Sequence, residues 1–358
     1  MTIQEATRRF ESWLGQQMPL DRSHLALKHK LMRKGAFPFL RATFYRWIQV
    51  LPAVCPELIA APRVLAVGDL HIENFGTWRD HEGRLVWGIN DFDEAFPLPY
   101  TQDLVRLATS AVLGISSDLL RIKPKEASAA ILSGYAEGIK TAGQPFVLAE
   151  RHKWLAAIAL ARLENPARFW RKLANFPDVR GKTPAPARKA LENLMPDAGL
   201  SYKTVRRVSG LGSLGRQRFA AIADWLGGKI AREAKALTPS ACVWAQNGNA
   251  ASPLYYQTIL DRAIRCRDPY FRLDGSWIVR RLSPNCSRIE LETLPSDRDD
   301  YRILYSMGWE TANIHVGDRK RIAPIQRDLM QRSPEWLRKA AKAMARAVIR
   351  DWKEWKRA

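Results

Sequence analysis

A short apolar run, Val64 to Val67, leads straight into Gly68-Asp69-Leu70-His71-Ile72-Glu73-Asn74-Phe75-Gly76, and no other stretch restricts the fold as tightly. The run has the length of a buried strand, and a Gly-Asp pair with an Asn soon after it demands a turn. That turn carries an aspartate and an asparagine five positions apart. A second strand-like run, Leu85 to Ile89, ends in Asn90-Asp91-Phe92-Asp93-Glu94. Two strands therefore each deliver a polar, acidic loop. Asp69, His71, Asn74, Asp91 and Asp93 are the candidate site residues.

An aspartate and an asparagine at this spacing serve protein kinases as base and magnesium ligand in the catalytic loop. Their metal-binding aspartate follows shortly downstream at a strand end. On that pattern Asp69 is the catalytic residue that takes the acceptor proton, with His71 bracing the loop or sharing in the chemistry. Asn74 and Asp91 are Mg²⁺ ligands, and Asp93 is a further metal-side carboxylate. Two other readings stand beside it. Gly-Asp-x-His also opens dinuclear metal hydrolase sites, but those need more histidines, and the six present (His24, His29, His71, His81, His152, His315) form no cluster. An Asp/Gly/Asn turn after a strand also occurs with no chemistry at all.

At 358 residues the chain exceeds the usual size of a single core, so two lobes are expected. The net charge of +21 is spread along the whole chain and favours anionic partners: nucleotides, phosphorylated substrates, nucleic acid or an acidic surface. Four dispersed cysteines without a Cys-x2-Cys pair argue against a zinc site or a disulfide framework and suit a reducing compartment. With charges throughout Met1–Gln17 and no long apolar stretch, neither a signal peptide nor a transmembrane segment is expected, and a cytoplasmic location follows.

Residues 1–50 read as basic helices. Helical periodicity recurs over 103–113, 124–143 and 147–164, so the first half is mainly helical around a small sheet. The proline-rich stretch Gly181–Pro186 precedes a short helix ending near Met195, and the lobe boundary is placed at 198/199. Beyond it strands are expected at 204–208, 218–226, 229–236 and 241–245, then helices at 253–265 and 298–315. A basic amphipathic helix closes the chain from Ser333, with Leu337, Ala341, Met344, Val348, Trp352 and Trp355 on its apolar stripe. Such a helix docks on its own protein unless a membrane or nucleic acid claims it.

The run Gly210-Leu211-Gly212-Ser213-Leu214-Gly215 lies between two strands rather than before a helix. This excludes a dinucleotide fingerprint and suits a loop that closes over phosphates, with a plain glycine hairpin as the alternative. Gly210, Gly212, Ser213 and Gly215 are the candidate nucleotide contacts. The next strand offers Arg232 at the place of the kinase phosphate-binding lysine, with Lys229 and Lys235 as alternatives. Gln217 replaces the expected valine after the glycines, and no glutamate occurs between 233 and 290 to partner that cation.

These motifs resemble the bacterial family catalogued as domain of unknown function 2252. The resemblance rests on residues 68–76 and 90–94, Phe37–Arg41, Asp103 with Arg106–Ser110, the glycine run, Glu233-Ala234 with Ser240, Arg280–Leu282 and Gly308–His315. The family pattern implies Lys-Glu-Ala where this chain has Arg232-Glu233-Ala234. The Asp-x-His-x-x-Asn element is also similar to aminoglycoside and choline phosphotransferases, whose catalytic loop follows a helix like Met307–His315. Here that helix comes near the end of the chain. The resemblance implies an α+β, two-lobed protein-kinase-like fold in circular permutation, and an ATP- and Mg²⁺-dependent phosphotransferase acting on a hydroxyl acceptor. A catalytically inactive binding module for nucleic acid or another anionic partner is the rival from a different class.

Overall fold

Two antiparallel pairings bring the acidic loops together. In the computed structural model, which describes residues 1–160, 165–179, 182–247, 252–284, 286 and 299–358, strand β1 (Arg63–Ala66) pairs with β4 (Phe96–Pro99). Strand β2 (Phe75–Arg79) pairs with β3 (Leu85–Ile89), which also pairs with the short β5 (Phe146–Val147). Ala66 lies opposite Phe96 and Phe75 opposite Ile89, so residues 67–74 and 90–95 must run side by side. The link is tightened where the Asn90 N–H donates to the Asn74 carbonyl at 3.0 Å. Strand β2, hidden in sequence because it starts inside the polar motif, is what brings Asn74 to Asp91.

Helices surround this small β unit: α1 (Ile3–Gln17), α2 (Arg22–Met32), α3 (Ala36–Ala42), α4 (Phe44–Val54), α5 (Tyr100–Ile115) and α6 (Pro124–Lys140). The short α7 (Leu148–Arg151), α8 (Lys153–Leu160), α9 (Pro166–Ala174) and α10 (Ala185–Glu192) follow. Helix α5 is buried on nearly every side, its polar residues Asp103, Arg106 and Ser110 included, which makes it the spine of the first half. The fold is mixed α and β, as expected.

The second half builds a five-stranded antiparallel sheet in the order β6-β7-β8-β10-β9, from Lys203–Arg206, Arg218–Trp225, Gly228–Ala236, Trp277–Leu282 and Arg272–Asp274 respectively. The three expected strands are neighbours, joined by the glycine run and by a hairpin turn at Leu226-Gly227. Residues 241–245, expected as a strand, form helix α11 (Ala241–Ala245) instead. Five consecutive apolar residues have no period to choose between the two states. Ser240 decides it by capping the Cys242 N–H. Helix α10, assigned by sequence to the first lobe, packs its Ala187, Ala190 and Leu191 on the sheet against Ala234, Ala236 and Val279. Residues 161–164, Gly181 and residue 298, which belonged to expected elements, lie outside the described residues.

Helix α12 (Tyr256–Arg262) follows α11, and α13 (Asp300–His315), α14 (Ile322–Gln331) and α15 (Trp336–Arg357) return to the first half. The apolar stripe of α15 is buried at Leu337, Ala341, Met344, Val348 and Trp355, largely against α5. Among the described residues no helix is long and apolar enough to cross a membrane.

Helix α13 crosses α6 at backbone contact. A Cβ on Gly308 would sit 2.0 Å from the Ile131 carbonyl oxygen, and one on Gly134 1.9 Å from that of Tyr305. Gly308→Ala gains about 1 kcal/mol of helix propensity in isolation. Here it must force two backbones apart, a cost of about 1–3 kcal/mol for overpacking. The expected outcome is a net fall in the urea midpoint. An unchanged or raised midpoint would show that the crossing can relax.

Candidate active site

One face of α5 grips the first acidic turn. Asp103, Arg106 and Ser110 follow at helical spacing and point the same way. Both carboxylate oxygens of Asp103 accept backbone N–H bonds, from Val67 at 2.7 Å and Gly68 at 2.9 Å. Ser110 Oγ accepts from Ile72 N–H at 3.0 Å. Arg106, fully buried against Phe44 and Trp47, donates through Nε to Asp69 at 2.9 Å and through Nη2 to the Leu40 carbonyl, also at 2.9 Å. His315, at the end of α13, lies with Nε2 3.0 Å from Asp103 and Nδ1 2.9 Å from the Tyr135 hydroxyl. The turn is therefore fixed by its backbone, leaving the Asp69 side chain at the mouth of a cavity.

That cavity, about 50 Å³, is lined from both halves of the chain. The first half supplies Asp69, His71, Asn74, Asp91, Asp93 and Glu94, and the glycine run supplies Gly210, Leu211, Gly212 and Ser213. A Cβ on Gly212 would lie 3.4 Å from Asp69 Oδ2 and 2.9 Å from the Arg41 carbonyl oxygen. The glycine loop thus rests directly on the acidic turn. Ser213 joins it to the sheet: its hydroxyl donates to the Gly210 carbonyl at 3.3 Å and accepts from Arg218 at 2.8 Å. Gly215 lies outside the cavity lining, its carbonyl accepting the Asp21 N–H at 2.9 Å.

His71 and Asn74 hold each other's turn. Asn74 Oδ1 accepts the His71 N–H at 2.7 Å, and His71 Nδ1 accepts the Glu73 N–H at 3.2 Å. The Asn74 oxygen keeps a second lone pair.

Strand parity separates the basic candidates. Along β8, Glu233 and Lys235 point to the cleft side, whereas Arg232, Ala234 and Ala236 point to the α10 side. Arg232 is buried there, donating to the Leu194 carbonyl at 2.9 Å and stacking on Tyr270 at 4.4 Å. It does not line the cavity, contrary to the expectation, because residue 232 is an odd number of positions from 235. Lys235 instead pairs with Asp93 and lies 3.5 Å from Asp91 Oδ1. Lys229 pairs with Asp224 at the exposed hairpin. Glu233 binds Arg207, Arg218 and Arg280; burial alone would raise its pKa, but the three guanidinium groups hold it well below the usual range.

Burial dominates the electrostatics of the acidic group. It pushes Asp69 up to about 7 against the pull of Arg106. Asp93 rises to about 6 through burial and the neighbouring Asp91, although Lys235 and Arg216 oppose the shift. Asp93 Oδ1 is buried without a hydrogen-bond partner among the described residues. Two adjoining carboxylates with an orphaned oxygen call for a proton or a cation. Mg²⁺, which takes one or two carboxylates and completes its shell with substrate phosphates, suits such a pair. Among the described residues no group of three His, Cys, Asp or Glu side chains converges on a metal position.

Four contributors were given no role by the sequence. Lys28 and Arg41 line the cavity from α2 and α3; Arg216 binds Asp93 at 3.4 Å and Glu94 at 3.0 Å; Glu94 caps α11 through Ala241 N–H at 2.7 Å. Glu94 stands in the acidic motif, Arg41 ends the Phe37–Arg41 stretch and Arg216 follows the glycine run, so these three carried a local signal, whereas Lys28 did not.

Residues 20–175 match the bacterial family described as "Uncharacterized protein conserved in bacteria (DUF2252)", so this segment carries a bacterial domain of unknown function. The match takes in Asp69, Asn74, Asp91, Asp93, Asp103 and Arg106. The glycine run, Glu233-Ala234, Arg280–Leu282 and Gly308–His315 lie beyond it. No curated protein and no solved structure matches the chain.

Proposed function

We propose that the protein is an ATP- and Mg²⁺-dependent phosphotransferase of kinase-like type acting on a hydroxyl acceptor, its lobes circularly permuted. One observation carries this reading. A glycine loop between antiparallel strands and an Asp-x4-Asn turn with a following aspartate, more than 110 residues away in sequence, line a single cavity.

The nucleotide phosphates lie beneath Gly210, Gly212 and Ser213, with Lys235 as their cation in place of Arg232. Asn74 and Asp91, with Asp93 behind them, are the residues that would hold Mg²⁺, which when bound offsets charge on the phosphate oxygens. Asp69 orients the acceptor hydroxyl and takes its proton as the acceptor oxygen bonds to the γ-phosphorus. The bond from that phosphorus to the β,γ-bridging oxygen breaks, and ADP leaves. A carboxylate pKa near 7 is matched to that duty. Arg106 aims the carboxylate from a buried position. The glycine loop rests on Asp69 here, so nucleotide entry requires it to lift, as lids of such enzymes do.

That same contact favours a second reading, a binding module for an anionic partner, because the remaining space does not admit a nucleotide. Thermal melting separates the two. Mg²⁺ with ATP is expected to raise Tm by binding linkage, each component alone doing much less, and Asp91→Asn is expected to abolish the rise. Equal shifts in the variant and the unaltered protein would remove Asp91 from the metal site. No shift at all would favour the binding module.

A further inference from the structure

Lys28 lies in the interior of α2, buried at 4% exposure, with its ammonium in the cavity. An ammonium has three N–H donors. Among the described residues this one makes a single hydrogen bond, a long one of 3.4 Å to the Gly212 carbonyl, and stands 5.9 Å from the face of Tyr45. It forms no ion pair with them. The carboxylates around it are engaged elsewhere: Asp69 with Arg106, Glu94 with Arg216, Ser240 and the Ala241 N–H, and Glu11 with His29 at 2.7 Å.

Leaving a buried charge without a counter-ion is expensive. Burial accordingly pushes its pKa down to about 8, with Glu11 acting against the shift. An unpaired buried cation aimed into a cleft is a mark of a ligand-binding group. The geometry also limits the ligand. The space under the loop, about 50 Å³, holds a few waters or one compact tetrahedral oxyanion.

We propose that Lys28 and the glycine loop form a subsite for a phosphoryl-sized oxyanion above Asp69, distinct from the Lys235 position beside Asp91 and Asp93. Resting on the phosphotransferase reading, the subsite holds the phosphoryl group during its passage from nucleotide to acceptor. Lys28 thereby takes a role that neither the glycine run nor the acidic motifs supply.

Inorganic phosphate is the probe, titrated into the full chain by calorimetry. The unaltered protein is expected to bind it, Lys28→Met to bind at least tenfold more weakly, and Lys28→Arg to recover most of the affinity. Lys140→Met, which removes an exposed lysine, reports the effect of one lost charge on so basic a chain and is expected to change binding less than twofold. Methionine fills the lysine stem's volume, and an unchanged or raised melting temperature without phosphate establishes that the variant is folded. Phosphate binding by Lys28→Met equal to that of Lys140→Met overturns the subsite, as does an unaltered protein that binds no phosphate. Binding that depends on Lys28 in a protein that shows no Mg-ATP shift would keep the subsite and remove the phosphotransferase reading. A Mg-ATP shift dependent on Asp91, without phosphate binding dependent on Lys28, would do the reverse.

Discussion

Asp69→Asn is expected to lower ATP turnover by about 10²–10⁴-fold, the usual contribution of a positioned general base. The fold should survive, because the asparagine oxygen still accepts from Arg106 Nε, which Asp69 now does at 2.9 Å. Activity of the unaltered protein should rise with pH through about 7, following ionisation of Asp69. The stability effect has the opposite sign. The folded-state pKa lies above the unfolded value near 3.8, so the protein binds this proton more tightly when folded. Its contribution to stability is complete below about pH 4 and is lost as pH rises through about 7. Asp69→Asn, lacking this proton, should show a flatter loss of stability across that window than the unaltered chain. Turnover within threefold of normal, or an unchanged pH profile, would remove Asp69 from the chemistry.

Asp103→Ala is expected to be the most destabilising single change, at about 3–5 kcal/mol, the range for breaking a buried charged interaction. The carboxylate has no solvent exposure and serves the Val67 N–H, the Gly68 N–H and His315 Nε2. Alanine strands all three donors in the interior. Thermal melting should fall by roughly 10 °C at 2–4 °C per kcal/mol for a chain of this size. Asp103→Asn, retaining an acceptor oxygen, should fall less. A loss below about 2 °C for the alanine variant would mean that water or a shifted side chain replaces the carboxylate. Because the same residue holds the turn that presents Asp69, the alanine variant should lose turnover even at temperatures where it is folded.

What the chain declares in its order of residues is local. The Gly68–Gly76 turn and the Leu85–Ile89 strand with its acidic end are read from neighbouring residues, since turn chemistry and two-residue alternation act over a few positions. The Asp103, Arg106, Ser110 face of α5 is legible for the same reason, being set by helical spacing. Tertiary structure decided the rest. Arg232 and Lys235 are both basic residues on one strand, and only the sheet's orientation against α10 says which meets the cleft. The Ala241–Ala245 run is equally apolar as helix or strand, and Ser240 and the distant Glu94 settle it. Lys28 belongs to no motif: its side chain reaches the cavity only when α2 is folded over Gly212, where the carboxylates around it are claimed by other partners. Charge burial is a property of assembled surroundings, and no window of sequence contains them.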